Sequence, residues 1–324
     1  MDVPVGRDEF TEIPAEDAFA ILGNETRMSV LRTLWQADAA LSFSDLRGAV
    51  APEDTGNFNY HLEKLTDHFV RKTDEGYVLR FAGEQVVRAA LSGTITSNPT
   101  IPPAEIDERC PYCDAPVKMG YQEETISVQC TDCGGVIDGE FPDGTTMYFE
   151  FPPAGLAGRD REGIIDAAHV LYDAKIAPMM KGVCPECAGR ISISHDVCRE
   201  HDPDVSGLCA ACDTRFPVWS QFTCEHCRYS RRSPPWFVAL NHPAVVAFYH
   251  EHGLSETLPF RKLTEDNARF VRDISTTVTD TDPYRFRVAI PVEDAALVVA
   301  MNNALTVLSV ERTARDAVTE LPTN

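Results

Sequence analysis

The chain has 324 residues, 44% of them hydrophobic, enough for two to four modules with ordinary cores. Fifty Asp and Glu oppose twenty-nine Lys and Arg, for a net charge of -21, and composition alone therefore argues against a nucleic-acid binder, since such proteins are usually basic. No apolar run approaches the ~18 residues of a membrane span, residues 1–10 are acidic and lack a basic-then-apolar signal, and the cysteine spacing is too uniform for a secreted disulfide framework. The expectation is a cytoplasmic protein with reduced thiols and no membrane contact. Lysine is scarce, six against twenty-three arginines. An acidic, lysine-poor surface suits a salt-rich (halophilic) cytoplasm, where self-repulsion is screened within about 3 Å.

In chain order, residues 13–95 predict a winged helix-turn-helix. Residues 16–22 carry Ala18, Phe19, Ile21 and Leu22 at helical spacing, and 25–37 place Met28, Val30, Leu31, Leu34 and Trp35 inward behind the cap-type residues Asn24 and Thr26. Ser42 or Ser44 caps a short helix to Val50, and Asp54 or Thr55 caps a longer one through His68. Phe58, Leu62 and Leu65 lie on one face of that last helix. Strands at 69–73 and 77–81 flank the turn Asp74-Glu75-Gly76, and a helix at 83–91 closes the segment.

Opposite the core face, Asn57, Asn59, Tyr60 and Lys64 point outward, with His61 beside them. Asn reads adenine bidentately in a major groove, while Lys and Tyr reach phosphate or guanine. Arg71, Lys72 and Arg80 on the hairpin are placed to hold the flanking backbone, and the candidate DNA-binding residues are these eight. The plainer reading is a solvated face of a protein-binding winged helix.

Pro99, Pro102 and Pro103 suggest a linker. Residues 106–150 then read as a four-cysteine zinc ribbon, with Cys110, Cys113, Cys130 and Cys133 as ligands and strands near Val117 and at 126–128. Two thiolates two residues apart on a tight turn converge on one ion at about 2.3 Å. A strand is expected at 147–151, and a connecting helix spans 159–180, with its apolar stripe in 159–177. Residues 184–260 form a second zinc module. Three CxxC pairs (Cys184/Cys187, Cys209/Cys212, Cys224/Cys227) give six ligands, and Cys198 with His201 completes eight, for two ions. The total is three Zn²⁺, one in 110–133 and two in 184–227. Sequential, nested and cross-brace pairings all fit the spacing; the nested one gains from a possible strand at 214–222 feeding Cys224 opposite Cys184. His195 is a spare candidate, more simply a satisfied polar residue. Every coordination position is filled by protein, so the sites read as structural.

Trp219, Trp236, Phe237, Phe248 and Tyr249 read as packing around small metal cores rather than as a ligand cage. Pro234-Pro235-Trp236 and His242-Pro243 read as turn and helix-start punctuation, with a short helix at 242–252. Arg228, Arg231 and Arg232 form the most basic patch, read as a solvated ribbon loop. Residues 270–312 hold a small antiparallel β segment with strands at 284–292, 296–301 and 304–310, and the chain is expected to be loose from Ala314. The fold class is therefore α+β and multidomain: winged helix-turn-helix, zinc-ribbon modules and a C-terminal antiparallel β meander. No Walker loop, dinucleotide fingerprint, GxSxG elbow or HExxH is present, so an enzyme is not expected.

Phe19-Ala20-Ile21-Leu22-Gly23-Asn24-Glu25-Thr26-Arg27 resembles the "LG(N/D)xTR" opening of ArsR-like winged-helix regulators, and Asn59-Tyr60-His61-Leu62-Glu63-Lys64-Leu65 resembles the core of their recognition helix. The whole chain resembles haloarchaeal ArsR-like transcriptional regulators with cysteine-rich C-terminal regions. The resemblance implies a homodimer that binds double-stranded DNA at a near-palindromic operator, and it makes the acidic charge an adaptation. The helix before the recognition helix, 43–50, lacks the cysteine motif of metal-sensing members. The alternatives are a zinc-ribbon adaptor that binds protein partners of the transcription machinery, or a thiol or metal sensor acting through the C-terminal cysteines. Residues 1–95 carry sixteen acids and nine bases, so in molar salt specificity would rest on direct contacts rather than on counterion release.

Overall fold

The computed structural model describes residues 13–51, 57–136, 141–254 and 264–319, and the chain divides into two compact units at Ser97/Asn98. The first unit opens with α1 (Ala15–Leu22), α2 (Glu25–Gln36) and α3 (Phe43–Val50). Asn24 caps α2 by accepting the Arg27 amide (3.1 Å), and Ser42 caps α3 through the Asp45 amide (3.2 Å). The expected caps of the next helix, Asp54 and Thr55, lie outside the described residues. That helix, α4 (Asn57–Leu65), buries Phe58, Leu62 and Leu65 against Val30, Leu31 and Leu46.

Helix α4 stops three residues short of His68. Asp67 takes a left-handed φ of 71°, and the Phe69 amide returns to the Leu65 carbonyl (2.9 Å). Strands β1 (Val70–Thr73) and β2 (Gly76–Leu79) pair with Thr73 opposite Gly76, so the turn is the two residues Asp74-Glu75. Gly76 itself starts β2, at φ 140°, where a Cβ would lie 2.4 Å from the Leu41 carbonyl oxygen. Leu41 and Tyr77 exchange both backbone hydrogen bonds (3.2 and 2.9 Å), which ties the hairpin to the segment before α3. Helix α5 (Phe81–Leu91) begins two residues earlier than its periodicity suggests.

The segments at 106–150, 159–180, 184–260 and 270–312 all fall in the second unit. It opens on an antiparallel sheet in sequential order: β3 (Ile101–Arg109), β4 (Pro116–Gln122), β5 (Thr125–Cys130) and β6 (Thr145–Glu150). Pro102 and Pro103 are thus in a strand rather than a linker. Strand β3 is an edge, its register slips between Ile101 and Ala104, and an edge tolerates residues that donate nothing to the ladder. Helix α6 (Arg161–Met179), capped by Asp160, lays Ile164, Ile165 and Ala168 on this sheet, while Ile176 and Met179 enter the next core.

A second sheet orders β7 (Ile191–Val197), β8 (Val218–Cys224) and β9 (Ser230–Ser233). Helices α7 (Pro235–Leu240) and α8 (Pro243–Glu251) follow; Pro235 and Pro243 each open a helix, as helix-start residues should, and His242 caps α8. After α9 (Glu265–Ala268) comes the last sheet, β10 (Ser275–Thr281), β11 (Tyr284–Val292), β12 (Ala295–Met301) and β13 (Val307–Ala314). Strand β10 is an addition to the three strands expected within the 270–312 segment. Strand β13 starts three residues later than expected because Asn302 to Thr306 form a turn, with Leu305 left-handed at 57°. Asp316–Thr319 form α10, where loose chain was expected.

Trp236, Phe237, Phe248 and Tyr249 do pack, but in a shared core between β8, α7, α8, β11 and β12 rather than around the cysteine turns. None of the described helices is long and apolar enough to cross a membrane.

Candidate metal centres

All eleven cysteines are free thiols, and together with His201 they gather into three groups whose ligand atoms lie within 4.8 Å of one another: Cys110/Cys113/Cys130/Cys133, Cys184/Cys187/Cys224/Cys227 and Cys198/His201/Cys209/Cys212. The distances test whether an ion fits. A tetrahedron with sulfur–metal bonds of about 2.3 Å has edges of about 3.8 Å, whereas a disulfide needs about 2.05 Å. The Sγ–Sγ separations are 3.7 Å for Cys110–Cys133, 3.4 Å for Cys113–Cys130, 3.6 Å for Cys184–Cys227 and 3.5 Å for Cys187–Cys224. In the third group His201 Nδ1 lies 3.5 Å from Cys212 Sγ, close to the edge of about 3.5 Å that one nitrogen and one sulfur ligand imply. Each donor set therefore fits a four-coordinate metal ion.

Backbone geometry explains why the thiols converge. Four of the five CxxC turns repeat one shape. The amide of the first cysteine binds the carbonyl five residues on (Cys110–Ala115, Cys184–Gly189, Cys209–Thr214, Cys224–Tyr229; 2.9–3.1 Å), and the residue four positions on donates back to that cysteine's carbonyl. The residue four positions on is left-handed each time: Asp114, Ala188, Asp213 and Arg228, φ 53–64°. The turn at Cys130 differs, and is closed instead by the Gly144 carbonyl. Amides also point at sulfur. Cys130 Sγ accepts from the Asp132 and Cys133 amides, and Cys224 Sγ from those of His226 and Cys227 (3.3–3.4 Å). The Cys227 amide, against burial and aided by that of His226, holds the Cys224 thiol down to about 6.

Of the three pairings open from spacing, the structure has the nested one. Strand β7 leaves the Cys184 turn and pairs antiparallel with β8, which runs into the Cys224 turn; Ile191 faces Cys224. The outer pairs are thereby joined, and the loop between the strands carries Cys198, His201, Cys209 and Cys212. His201 Nε2 donates to the Arg215 carbonyl (3.1 Å), which leaves the Nδ1 lone pair for the ion. His195 is not part of any group. Its Nδ1 lies 3.0 Å from Ser220 Oγ and its Nε2 2.8 Å from the Asn303 carbonyl.

The first and third groups are locked together by a residue that spacing does not flag. Arg215 donates from Nε to the Gly135 carbonyl (2.6 Å) and from Nη2 to the Ser206 carbonyl (3.0 Å), and its guanidinium lies 4.4 Å from the centre of the Tyr112 ring. The Gly134 amide also reaches the Ser206 carbonyl (3.1 Å).

The residues proposed for DNA contact all lie in the first unit. Asn57, Asn59, Tyr60 and Lys64 are exposed on one side of α4, whereas His61 is half-buried and edge-on to Tyr60. Asn59 donates to Glu63 (2.6 Å), and the Lys64 ammonium lies 5.7 Å from the Tyr60 ring. Arg71 and Lys72 are exposed on β1, and Arg80 is exposed just before α5. The arginine patch is only in part a solvated loop: Arg228 and Arg232 are exposed and Arg231 is half-buried, and Arg231 and Arg232 lie on β9, paired with Glu150 and Asp196.

Residues 15–90 match the model of a domain of unknown function (DUF7347). No curated protein matches the chain, and no solved structure does. Residues 107–307 match the model of another domain of unknown function (DUF7351), and since that match spans well over half of the sequence, the chain belongs to the DUF7351 family.

Proposed function

We propose that the protein is a sequence-specific, ArsR-like DNA-binding regulator whose first unit is a winged helix-turn-helix and whose second unit is built on three structural Zn²⁺ ions. The observation that carries the DNA reading is α4, which buries Phe58, Leu62 and Leu65 and turns Asn57, Asn59, Tyr60 and Lys64 to solvent. A helix so anchored lies along a major groove with its amides on base edges, while the β1–β2 hairpin brings Arg71, Lys72 and Arg80 to the neighbouring phosphates. The hairpin's tie to Leu41 anchors it to the segment that leads into α3, which supports its reading as a wing. Zinc is the ion of choice because closed tetrahedral sets of four cysteines, or of three cysteines and one histidine, select it over oxygen-seeking cations. Exposed Phe19 on α1 and Phe81 and Leu91 on α5 supply an apolar surface for a homodimer.

Selection of bound fragments from the native genome, with purified zinc-loaded protein in molar potassium chloride, tests the reading. The expected result is a short inverted repeat, with binding lost in the double variant Asn59→Ala, Lys64→Ala. Recovery of nothing above background, with zinc present, would replace the regulator with an adaptor that uses the same surfaces on protein partners. A second reading has its own support: Cys113, Cys187 and Cys227 are exposed, which opens two sites to oxidants. Zinc release on mild oxidation, with a coupled change in DNA affinity, would make the protein a thiol sensor as well.

A further inference from the structure

Strands β6 and β9 are edges of two different sheets, and both line a cavity of about 630 Å³ in the second unit. That is the size of a small-molecule site, ~300–1,000 Å³. Its walls are aromatic. The Phe149 and Tyr172 ring centres are 5.2 Å apart, Tyr172 stands edge-on to Phe237 at 5.6 Å, and Phe216 lies 5.6 Å from Trp236. The Ser233 hydroxyl and the Trp236 indole N–H, on the same walls, have no partner among the described residues.

In a chain of net charge -21, the described lining of the cavity carries three cations, Lys175, Arg231 and Arg232, and one carboxylate, Glu150; outside the lining, Lys175 also pairs with Glu186 and Arg232 with Asp196. The cations are held over rings: Arg231 over Tyr229 at 4.5 Å, Arg232 over Trp219 at 5.0 Å and Lys175 over Tyr229 at 5.3 Å. Arg231 forks onto both oxygens of Glu150 (3.2 and 2.6 Å). The arginine side chain is only 17% exposed and the glutamate 62%. The carboxylate therefore reaches a sequestered guanidinium from the solvent side, as a ligand's carboxylate would.

We propose that this cavity binds a small organic anion, an aromatic or otherwise apolar body carrying a carboxylate or similar group, and that the anion displaces Glu150 from Arg231. The site goes beyond the DNA-binding reading and does not depend on it. The test uses full-length, metal-loaded protein and two fluorescent probes with one skeleton: 8-anilinonaphthalene-1-sulfonate, an anion, and N-phenyl-1-naphthylamine, its neutral counterpart. One sulfonate probe binds per chain. Glu150→Gln, which removes the competing carboxylate, tightens it by about threefold, and Arg231→Gln weakens it by about tenfold. The neutral probe follows neither change. Thermal midpoints and metal content confirm that each variant is folded; if Arg231→Gln is not, Glu150→Gln, at a largely exposed position, carries the test alone. Equal sulfonate binding in parent and Glu150→Gln, a neutral probe that tracks the charged one, or no binding of either probe would overturn the proposal.

Discussion

Replacing Arg215 by Ala should unlock two of the three candidate metal sites at once. The side chain donates to the Gly135 carbonyl, two residues after Cys133, and to the Ser206 carbonyl, three residues before Cys209, and it lies over Tyr112, the neighbour of Cys113. Hydrogen bonds from a charged donor contribute about 1.5–3 kcal/mol each, and the ring contact adds about 0.5–1 kcal/mol. The group is only partly buried and water can reach some of what is vacated, so we expect a loss of about 3 kcal/mol, below the sum of those values. For a unit of this size that corresponds to a fall of about 6–12 °C in its unfolding midpoint. Differential scanning calorimetry of the metal-loaded full chain reads the shift directly. A chelator competition reads its specificity: two metal equivalents should leave faster than in the parent, while the one held by Cys184, Cys187, Cys224 and Cys227 leaves at the parent rate. Lys at 215 should recover less than half of the loss, because an ammonium has no planar fork to serve two carbonyls. A midpoint within about 2 °C of the parent, or uniform release of all three ions, would refute the reasoning.

Two glycines predict opposite outcomes in urea unfolding of the first unit. Gly76→Ala meets the Leu41 backbone at 2.4 Å in a φ of 140° and should cost about 3 kcal/mol or more, whereas Gly48→Ala, inside α3 with nothing within 4 Å, should add about 0.5–1 kcal/mol; equal effects would show that the hairpin is not seated on Leu41. His201→Ala should reduce the metal content from three equivalents to two while His195→Ala keeps three, measured by elemental analysis, and loss in the second variant would contradict the hydrogen-bonded role of His195. Phe19→Glu combined with Phe81→Glu should convert the expected dimer to a monomer in sedimentation velocity without lowering helical circular dichroism; an unchanged dimer would move the interface elsewhere.

The candidate ligands were legible because metal chemistry constrains local spacing. Two thiols on one turn must be two residues apart, and the leftover Cys198 finds its place only when His201 completes the count. Helix positions in the first unit were legible for a similar local reason: Asn24 and Ser42 cap the helices that follow them, and Phe58, Leu62 and Leu65 mark one face. Where the reading departed from the structure, a tertiary partner had intervened. Pro102 and Pro103 are extended because β3 finds β4 to pair with on one side only. The polar strand β10 exists because β11 offers it an edge. Trp236 and Phe237 pack in a core assembled from segments far apart in the chain.

By itself, then, the sequence determined what short-range physics determines: the twelve candidate metal-ligating side chains, the α4 face divided between core and solvent, and the acidic surface around them. Only the tertiary structure decided which cysteine turns share a site, since that depends on β7 pairing with β8 and bringing the Cys184 turn to the Cys224 turn. It alone placed Arg215 between two metal loops, and it turned Arg231 and Arg232 from a loop patch into the cationic wall of a cavity. Spacing along the chain fixes which atoms can meet within a turn, but the meeting of distant turns is set by strand pairing and core packing, and these are properties of the whole fold.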